Sequence, residues 1–535
     1  MVRQHATTPM MRTLLTARSF EYAGVRKLVR AALALGVALP SAALLLAPEH
    51  AATEKVATLV PGPVKSGMRF VRSAACGALI AADYKWSLWG VGERDPRYGE
   101  RVSRVHLRSA RRLLRLFEGN RGIFIKAGQH MAALSYVLPQ EYVDTMRVLH
   151  DRAPVMPAAT VREVLRRELG RDPEEVFEAF DPVPLAAASL AQVHAAVLDG
   201  SRVAVKVQFP DVRETCAGDT RTIGVLLAAV TRLFPEFKLG WLVEEFRCNL
   251  PLELDFRQEV RNSERVRANF ADRSAELRTP LVHHAYSTER VITMEFIDGV
   301  KANDHEGLVA MGLDVARVAT LIADLFSIQV FEHGFVHCDP HPGNILVTKS
   351  EEGLPVVLLL DHGLYKELPE SFRLDYCRLW KSIIDQDVKA MERASRNLGV
   401  KNYPLFCCIL TARAWETVVG AGLQTDLDPG EREILKESAS KYAAEITQIL
   451  DVVPQELLLL LKLNDNLRSI NVDLGSPVNT HSISLHHCLR VLNKHERESA
   501  HSFVDKLWFY KSMVLTQAKL WIFDVASRLI RFIFG

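Results

Sequence analysis

Two short polar stretches in the second half of the chain carry residue types suited to phosphoryl transfer. Asp339 is followed five residues later by Asn344, and an apolar run leads to Asp361, His362 and Gly363. At this spacing the first Asp can accept the proton of an attacking hydroxyl, while the Asn and the second Asp can hold Mg²⁺. The alternative is a polar turn between two core strands. The joint pattern, with a Lys and a Glu upstream, favours a nucleotide site.

That upstream Lys and Glu lie on segments with strand and helix signals. Residues 203–207 read V-A-V-K-V, a strand pattern in which Lys206 would contact the α- and β-phosphates and pair with a helix Glu. Glu259 is its natural partner, on a long polar helix predicted over residues 252–269. Taken singly, Lys206 fits a strand-edge Lys in solvent equally well, and the acidic start of the helix fits a first turn that complements the helix dipole.

Further elements must position these groups. A strand predicted over residues 356–360 would deliver Asp361 to the site. A helix predicted from residue 123 toward 138 carries Lys126 and Gln129, which lie three apart and share a face. On spacing alone, a Lys on such a helix is expected to extend to water. The other predictions are a linker (58–65), helices (69–89, from 98 to 120, 160–180, around 225–234, 314–333, and from 369 to about 470), a strand leading into a hinge (291–299) and a polar loop (476–487).

Composition narrows the function classes. The chain has 535 residues, 48% of them apolar and 24% charged, which is typical of a globular protein with an ample core. A net charge of +2 argues against a nucleic-acid partner. The eight cysteines contain no C-x-x-C pair, so neither a zinc ribbon nor a disulfide framework is indicated.

Both ends of the chain have features of membrane or organelle targeting. Residues 1–30 are rich in Arg and hydroxyl side chains and poor in acids, as in an organelle transit peptide. Residues 31–47 are apolar and sit at the lower length limit for a membrane span. A secretory signal and a merely disordered start are the alternatives. Residues 503–534 mix aromatic, aliphatic and basic side chains, which favours either a helix on an anionic membrane surface or packing on the core.

Five motifs together resemble the UbiB-type, aarF-domain-containing atypical kinases over roughly residues 105–470. The motifs are K-x-G-Q (Lys126 to Gln129), an Ala-rich loop that includes Ala187, Ala188 and Ser189, E-x-D (Glu253 and Asp255), the stretch from His337 to Asn344, and Asp361-His362-Gly363. Several stretches are most similar to a mitochondrial branch of that family. The resemblance implies an α+β, two-lobed atypical protein-kinase-like fold with a helical N-terminal extension and a mostly helical C-lobe.

The resemblance also implies a mode of action. The cofactors are ATP and Mg²⁺, and Lys126 points toward the phosphates with Glu253 and Asp255 nearby. The K-x-G-Q extension fills the groove where a protein kinase accepts a peptide. We therefore expect ATP turnover with a small-molecule or lipid-like acceptor, in support of lipid or coenzyme Q homeostasis at the mitochondrial inner membrane. The expected partners are mitochondrial membrane lipids and a quinone-like or lipid small molecule, with no nucleic acid.

Four departures from the kinase pattern affect this expectation. Ala191 stands where many members have Gly, His362 replaces the Phe of D-F-G, Cys338 replaces the Arg of H-R-D, and no A-P-E follows. The metal and phosphate ligands are intact, which argues against a dead pseudokinase. Two rival functions stay open: a conventional Ser/Thr protein kinase and a non-catalytic, nucleotide-sensing scaffold. The expected segments are 1–30 (targeting), 31–47 (anchor), 48–97 (linker and membrane-proximal helix), 98–183 (K-x-G-Q extension), 184–300 (N-lobe), 301–475 (C-lobe) and 476–535 (C-terminal extension).

Overall fold

A computed structural model describes residues 62–92, 95–132, 138–151, 155–233, 240–413, 415–420 and 453–499, with the single positions 510, 511, 514 and 518. The predicted targeting segment, the anchor and nearly all of the C-terminal amphipathic segment lie outside these residues. The chain divides into two units, Met1–Arg72 and Ser73–Gly535, and the architecture below is that of the second. Within the described parts, no helix has the length and apolar character that a membrane crossing requires.

Helices form the N-terminal part of the described chain. They are α1 (Gly62–Ser87), α2 (Tyr98–Asn120), α3 (Ile123–Ala132), α4 (Gln140–Met146), α5 (Val148–Asp151), α6 (Ala158–Leu169) and α7 (Pro173–Val176). The break between α2 and α3 falls at Arg121 and Gly122, which both have positive φ, as the N-R-G sequence predicted. Helix α3 is buried almost all round, since Ile123, Phe124 and Ile125 are at most 1% exposed.

An antiparallel sheet with the strand order β1-β2-β3-β5 forms the N-lobe. Its strands are β1 (Ala179–Ala187), β2 (Ala191–Leu198), β3 (Ser201–Gln208) and β5 (Val291–Glu295). Helix α6 packs on one face of this sheet, in a core that includes Val161, Leu165 and Val205. Between β3 and β5 the chain forms α8 (Val212–Leu233), α9 (Gly240–Glu253), α10 (Phe256–Asn269) and the two-residue strand β4 (Leu277–Arg278).

The C-lobe is mostly helical and carries two small sheets that frame the polar stretches. One sheet has the order β4-β9-β8-β6 and the other pairs β10 with β7. The strands are β6 (Val300–Lys301), β7 (Phe335–His337), β8 (Ile345–Lys349), β9 (Pro355–Leu359) and β10 (Tyr365–Glu367). The helices are α11 (His305–Ala310), α12 (Val315–Ser327), α13 (Glu370–Asp385), α14 (Val388–Asn397), α15 (Tyr403–Thr411), α16 (Trp415–Gly420), α17 (Gln455–Asp473) and α18 (Thr480–Ser499). A π-helical turn, Ile328–His333, continues α12 toward β7.

The fold class expected from the motifs is confirmed: an α+β, two-lobed kinase-like fold with a helical N-terminal extension and a mostly helical C-lobe. One continuous core joins the extension to the C-lobe. It contains Phe124 of α3, Phe326 of α12 and Leu457 of α17, all fully buried. This shared core fixes the extension against the catalytic elements, so its side chains have defined positions there.

Several local predictions were wrong. The helix predicted over residues 160–180 ends at Leu169, because Gly170 takes a left-handed conformation there, and strand β1 begins at Ala179. The single helix predicted over 252–269 is two helices, since the chain turns between Glu253 and Phe256. The linker predicted over 58–65 is helical from Gly62 onward.

The polar loop predicted over residues 476–487 is also wrong, because helix α18 begins at Thr480. The side-chain oxygen of Asn479 accepts hydrogen bonds from the backbone N–H groups of His481 and Ser482, which satisfies two donors at the helix start. The apolar face of α18, including Leu485 and Leu489, then packs into the main core. The polar composition of 476–487 concealed an amphipathic helix.

Candidate active site

The loop that carries Asp339 leaves strand β7 and ends in a 3₁₀ turn, Pro342–Asn344. The side-chain amide nitrogen of Asn344 donates to the backbone carbonyl of Asp339 at 3.3 Å, so the Asn344 side chain is held across the loop. The backbone N–H of Asp339 donates to Nδ1 of His337 at 3.1 Å. Burial lowers the pKa of His337 to about 4, so this ring is neutral and acts as an acceptor.

Asp361 follows strand β9 and faces the same space. The backbone N–H of Leu360 donates to the carbonyl of Asn344 at 3.0 Å, which ties the two polar stretches together. The N–H of Gly363 donates to Oδ1 of Asp361 at 2.9 Å. Because the Asn344 side-chain nitrogen is used within the loop, its side-chain oxygen would be the atom that coordinates a metal ion. An amide oxygen and a carboxylate are the hard donors that Mg²⁺ prefers, so this pair fits the metal.

Lys206 and Glu259 form the ion pair that the sequence predicted. Nζ of Lys206, on β3, lies 2.5 Å from Oε1 of Glu259, on α10, and 3.6 Å from Oδ2 of Asp361. Both side chains of the pair are at least nine-tenths buried. Burial raises the pKa of Glu259 to about 7, although Lys206 opposes that shift. Lys206 is thus held between the carboxylates of Glu259 and Asp361.

His362 occupies the position of the D-F-G Phe and is buried, at 2% exposure. Its ring accepts a hydrogen bond from the hydroxyl of Tyr365 at 2.9 Å through Nδ1, and Nε2 donates to the Leu359 carbonyl at 3.1 Å. Burial lowers its pKa to about 3, which keeps the ring neutral. The side chain of Asn262, on α10, donates to the His362 carbonyl at 2.9 Å. Polar contacts therefore fix a segment that the Phe of kinases fixes by packing.

Lys126 is buried in the site and does not extend to water. Its Nζ lies 2.8 Å from Oε2 of Glu253 and 3.8 Å from Oδ2 of Asp339. Burial alone would lower the pKa of Lys126, but the two carboxylates raise it above its usual value, so the side chain is charged. The structure thus contradicts the expectation from spacing, and it places Lys126 beside Glu253, which is one part of the placement that the family resemblance implied.

Of the other residues predicted for the site, Glu253 contacts Lys126, whereas Asp255 and Gln129 contact other groups. Glu253 and Asp255 are two apart in sequence, but the chain turns between α9 and α10, so only Glu253 meets Lys126. Asp255 caps α10 by accepting the backbone N–H of Arg257 and also pairs with the Arg257 side chain at 2.9 Å. The side chain of Gln129 donates to the carbonyl of Leu149 at 3.0 Å, which ties α3 to α5.

The Ala-rich segment forms a short, closed turn. Strand β1 ends at Ala187, and the N–H of Ala188 donates to the carbonyl of Ala191 at 2.7 Å. Ser189 and Leu190 are buried, at 6% exposure each. This turn joins two sheet strands at the place that a Gly-rich phosphate loop occupies in kinases.

One charged residue beside Asp339 was missed by the sequence reasoning. Nζ of Lys462, on helix α17, lies 3.0 Å from Oδ1 of Asp339. Lys462 follows a run of five leucines and precedes Leu463, and it is only 8% exposed. A Lys inside such an apolar run was the available signal, because a buried ammonium requires a carboxylate partner.

Helices close a small pocket around Asp339. The residues that line it, all polar or charged, are Lys126, Gln129, His130, His150, Asp339, His341, Lys462 and Asn466. They come from α3, α5, α17 and the catalytic loop. Burial lowers the pKa of His130 well below its usual value, so its ring is neutral. The pocket beside Asp339 is therefore bordered by helices of the extension and of the C-lobe.

These groups, spread over two lobes, define an atypical kinase-like domain, and comparison with known proteins gives the same class. The profile of the ABC1 atypical kinase-like domain matches residues 148–395. The chain is 44% identical over 475 residues to AarF domain-containing protein kinase 1 of Xenopus laevis, covering 86% of this chain and 90% of that protein. It is 45% identical over 441 residues to the Mus musculus protein of that name, covering 82% and 84%. The chain belongs to the ABC1, or aarF-domain-containing, atypical kinase family, and the expected similarity to the aarF domain-containing kinase 1 branch is confirmed.

A solved structure of a Mycobacterium tuberculosis protein in complex with erythromycin aligns with 66% of this chain and 95% of its own chain. The sequence identity is 22% and the TM-score is 0.41. The family assignment rests on the relatives above. Lys126 and Lys462 both lie outside the residues that the domain profile matches.

Proposed function

We propose that the protein binds Mg-ATP and either hydrolyses it or transfers its γ-phosphoryl group to a small-molecule or lipid-like acceptor. Lys206, held by Glu259, supports this proposal as the contact for the α- and β-phosphates. Asp361 and Asn344 would hold Mg²⁺, which when bound neutralises charge on the phosphate oxygens. Asp339 would take the proton of water or of an acceptor hydroxyl while that oxygen attacks the γ-phosphorus. The bond to the β-phosphate oxygen then breaks and ADP leaves.

The observation that carries the choice of acceptor is the contact of Lys126 with Glu253 and Asp339. A peptide would have to displace buried, paired charges of α3 to reach Asp339, and separating such pairs costs several kcal/mol, on the order of 3–5. Water or a slender hydroxyl compound faces no such barrier. A conventional Ser/Thr protein kinase is therefore disfavoured, and phosphorylation of a protein in trans by the wild-type chain would revive it.

The test is Mg²⁺-dependent ATP turnover by the full chain, measured with and without liposomes. Asp361→Ala is expected to abolish turnover, because it removes a metal ligand. Lys126→Ala is expected to change turnover, because it removes a cation from Asp339. Lys381→Ala is a matched control, since Lys381 pairs with Asp385 within α13 and lies outside the site. Equal turnover in the wild type and in Asp361→Ala would refute the proposal.

A second function is favoured by the electrostatics of Asp339. Burial alone would raise the pKa of this carboxyl, but Lys462 and Lys126 hold it well below its usual range. A carboxylate so stabilised is a weak base. This favours a scaffold that senses the bound nucleotide and whose function does not require phosphoryl transfer or ATP hydrolysis. Rescue of a null cell by Asp339→Asn protein to the wild-type level would support the scaffold, and failed rescue by stably expressed protein would support the enzyme.

The site of action is a mitochondrial membrane, where the protein would serve lipid or coenzyme Q homeostasis and membrane organisation. The composition of residues 1–30 and the resemblance to the mitochondrial branch support this part of the proposal. A fluorescent tag at the C-terminus should co-localise with a mitochondrial marker, and deletion of residues 1–30 should disperse it. Protease protection in isolated mitochondria would then report which membrane and which side hold the catalytic domain.

A further inference from the structure

Helix α17 contributes a charge to the site although it begins more than a hundred residues after the catalytic loop. Lys462 lies 3.0 Å from one oxygen of Asp339, and Lys126 lies 3.8 Å from the other. The carboxylate is therefore held from both sides. Between Asp339 and Asn344 the loop contains Pro340, His341, Pro342 and Gly343, so the loop itself has no permanent cation.

The burial of Lys462 requires an explanation. Its neighbours on α17, Leu457 to Leu461 and Leu463, are at most 7% exposed and belong to the main core. A Leu at position 462 would continue this apolar run without the cost of desolvating an ammonium. The charge is placed where it meets Asp339 and the enclosed pocket. Asn466, one turn later on the helix, lines the same pocket.

Helix α17 is also anchored to elements that carry other site residues. Glu456, in its first turn, pairs at 3.3 Å with Lys366, which follows the Asp361 segment. Gln455 donates at 3.4 Å to Asn249, on the helix that ends at Glu253. These contacts fix α17 relative to both Asp361 and Glu253, so Lys462 is presented to Asp339 in a defined geometry.

We infer that Lys462 is a positioning residue for phosphoryl transfer: it fixes the rotation of the Asp339 carboxylate toward the acceptor, and helix α17 is thereby part of the active site. This inference rests on the proposed function. Lys126 restrains one carboxylate oxygen through the K-x-G-Q extension, and Lys462 restrains the other through the C-lobe. Without Lys462 the carboxylate can rotate toward Lys126 and away from the acceptor oxygen.

The test compares Lys462→Met, Lys462→Arg and Lys366→Met in the full chain. Met keeps the length and apolar character of the Lys stem, and Lys366→Met removes an anchor of α17 without touching Asp339. We expect Lys462→Met to lower kcat for Mg-ATP turnover by roughly 10- to 100-fold. Binding of a fluorescent ATP analogue should stay within about twofold of wild type, because Lys206 and Asp361 are untouched. Lys462→Arg should recover part of kcat. Lys366→Met should lower kcat far less than Lys462→Met, because the buried leucines and the Gln455–Asn249 hydrogen bond still hold α17 in place.

A thermal-unfolding cycle of Lys462→Met with Asp339→Asn provides a readout that is independent of turnover. The effects of the two substitutions should be non-additive, because they remove the same ion pair. Two results would overturn the role of Lys462 while leaving the proposed function intact. One is a kcat of Lys462→Met that equals or exceeds the wild-type value. The other is a loss of kcat in Lys366→Met as large as that in Lys462→Met. Absence of Mg²⁺-dependent turnover in the wild type would instead defeat the proposed function, and the role of Lys462 with it.

Discussion

Gly128, the glycine of K-x-G-Q, offers a sharp test of how the extension is held over the site. A Cβ atom at this position would lie 2.2 Å from Cδ1 of Leu149 and 2.9 Å from Cδ2 of Phe117. Both neighbours are buried, at 0% and 7% exposure, so neither can move into solvent. The substitution Gly128→Ala must therefore push α3 away from α2 and α5. Lys126, two residues earlier, moves with its helix.

The displacement and its cost follow from the contact distances. Carbon atoms pack at about 3.5–4.0 Å, so the nearest pair must separate by at least roughly 1.3 Å. Overpacking of a well-filled core costs about 1–3 kcal/mol. Ala in a helix interior stabilises the helix by about 1 kcal/mol relative to Gly. The net change is a loss of up to about 2 kcal/mol in the free energy of unfolding, and a shift above 1 Å separates Lys126 from Glu253 and Asp339.

Gly77→Ala is the matched control, because Gly77 lies inside α1 and its nearest neighbour would be Leu226 at an ordinary 3.6 Å. Both substitutions gain the same helix propensity, and they differ only in the space available for the added Cβ atom. Thermal unfolding should place Gly128→Ala roughly 2–6 °C below Gly77→Ala. Mg-ATP turnover should change by about tenfold or more in Gly128→Ala only. If the two variants have the same Tm and the same turnover, the close packing at Gly128 does not position Lys126, and the reasoning is refuted.

Two further predictions concern pH. Since the pKa of Glu259 is raised to about 7, turnover should fall as the pH drops through that value, because the protonated carboxyl no longer pairs with Lys206. Glu259→Gln should lower kcat and remove this acid limb of the pH profile. An unchanged acid limb in Glu259→Gln would show that another group causes it. The pKa of His487 is raised despite partial burial, by hydrogen bonds to Asp324 and Glu332 at 2.7 and 2.6 Å. Its contribution to stability is fully present below the unfolded pKa and is lost as the pH rises through the folded value. His487→Gln should therefore lower the free energy of unfolding by about 1–3 kcal/mol near pH 6 and by less at pH 9, whereas an equal loss at both values would show that the charge plays no part.

Patterns within short segments predicted much of the fold. The strand that delivers Asp361, the V-A-V-K strand with Lys206 and the break after α2 were all recognisable, because side-chain periodicity and turn residues act over a few positions. The same locality explains the failures. The helix α18 was hidden by polar residues, since only its burial against α12 and α13 shows which face is apolar. The end of α6 and the turn at residues 254–255 depend on single backbone conformations within otherwise helical composition.

Residue types and spacing were enough to predict Asp339, Asn344 and Asp361 as candidate catalytic and metal-binding residues, because they lie on one loop and directly after one strand. The ion pair of Lys206 with Glu259 could also be proposed from residue types, because a strand Lys beside a helix Glu is a recurring solution to phosphate binding. Which other charges reach Asp339 depends instead on the packing of helices that are distant in sequence. Lys126 and Lys462 lie on helices far apart in the chain, and the packing of those helices into one core brings both ammonium groups to the same carboxylate. No local pattern contains that information, because the burial of a charge is set by the elements that surround it and not by its own neighbours in sequence.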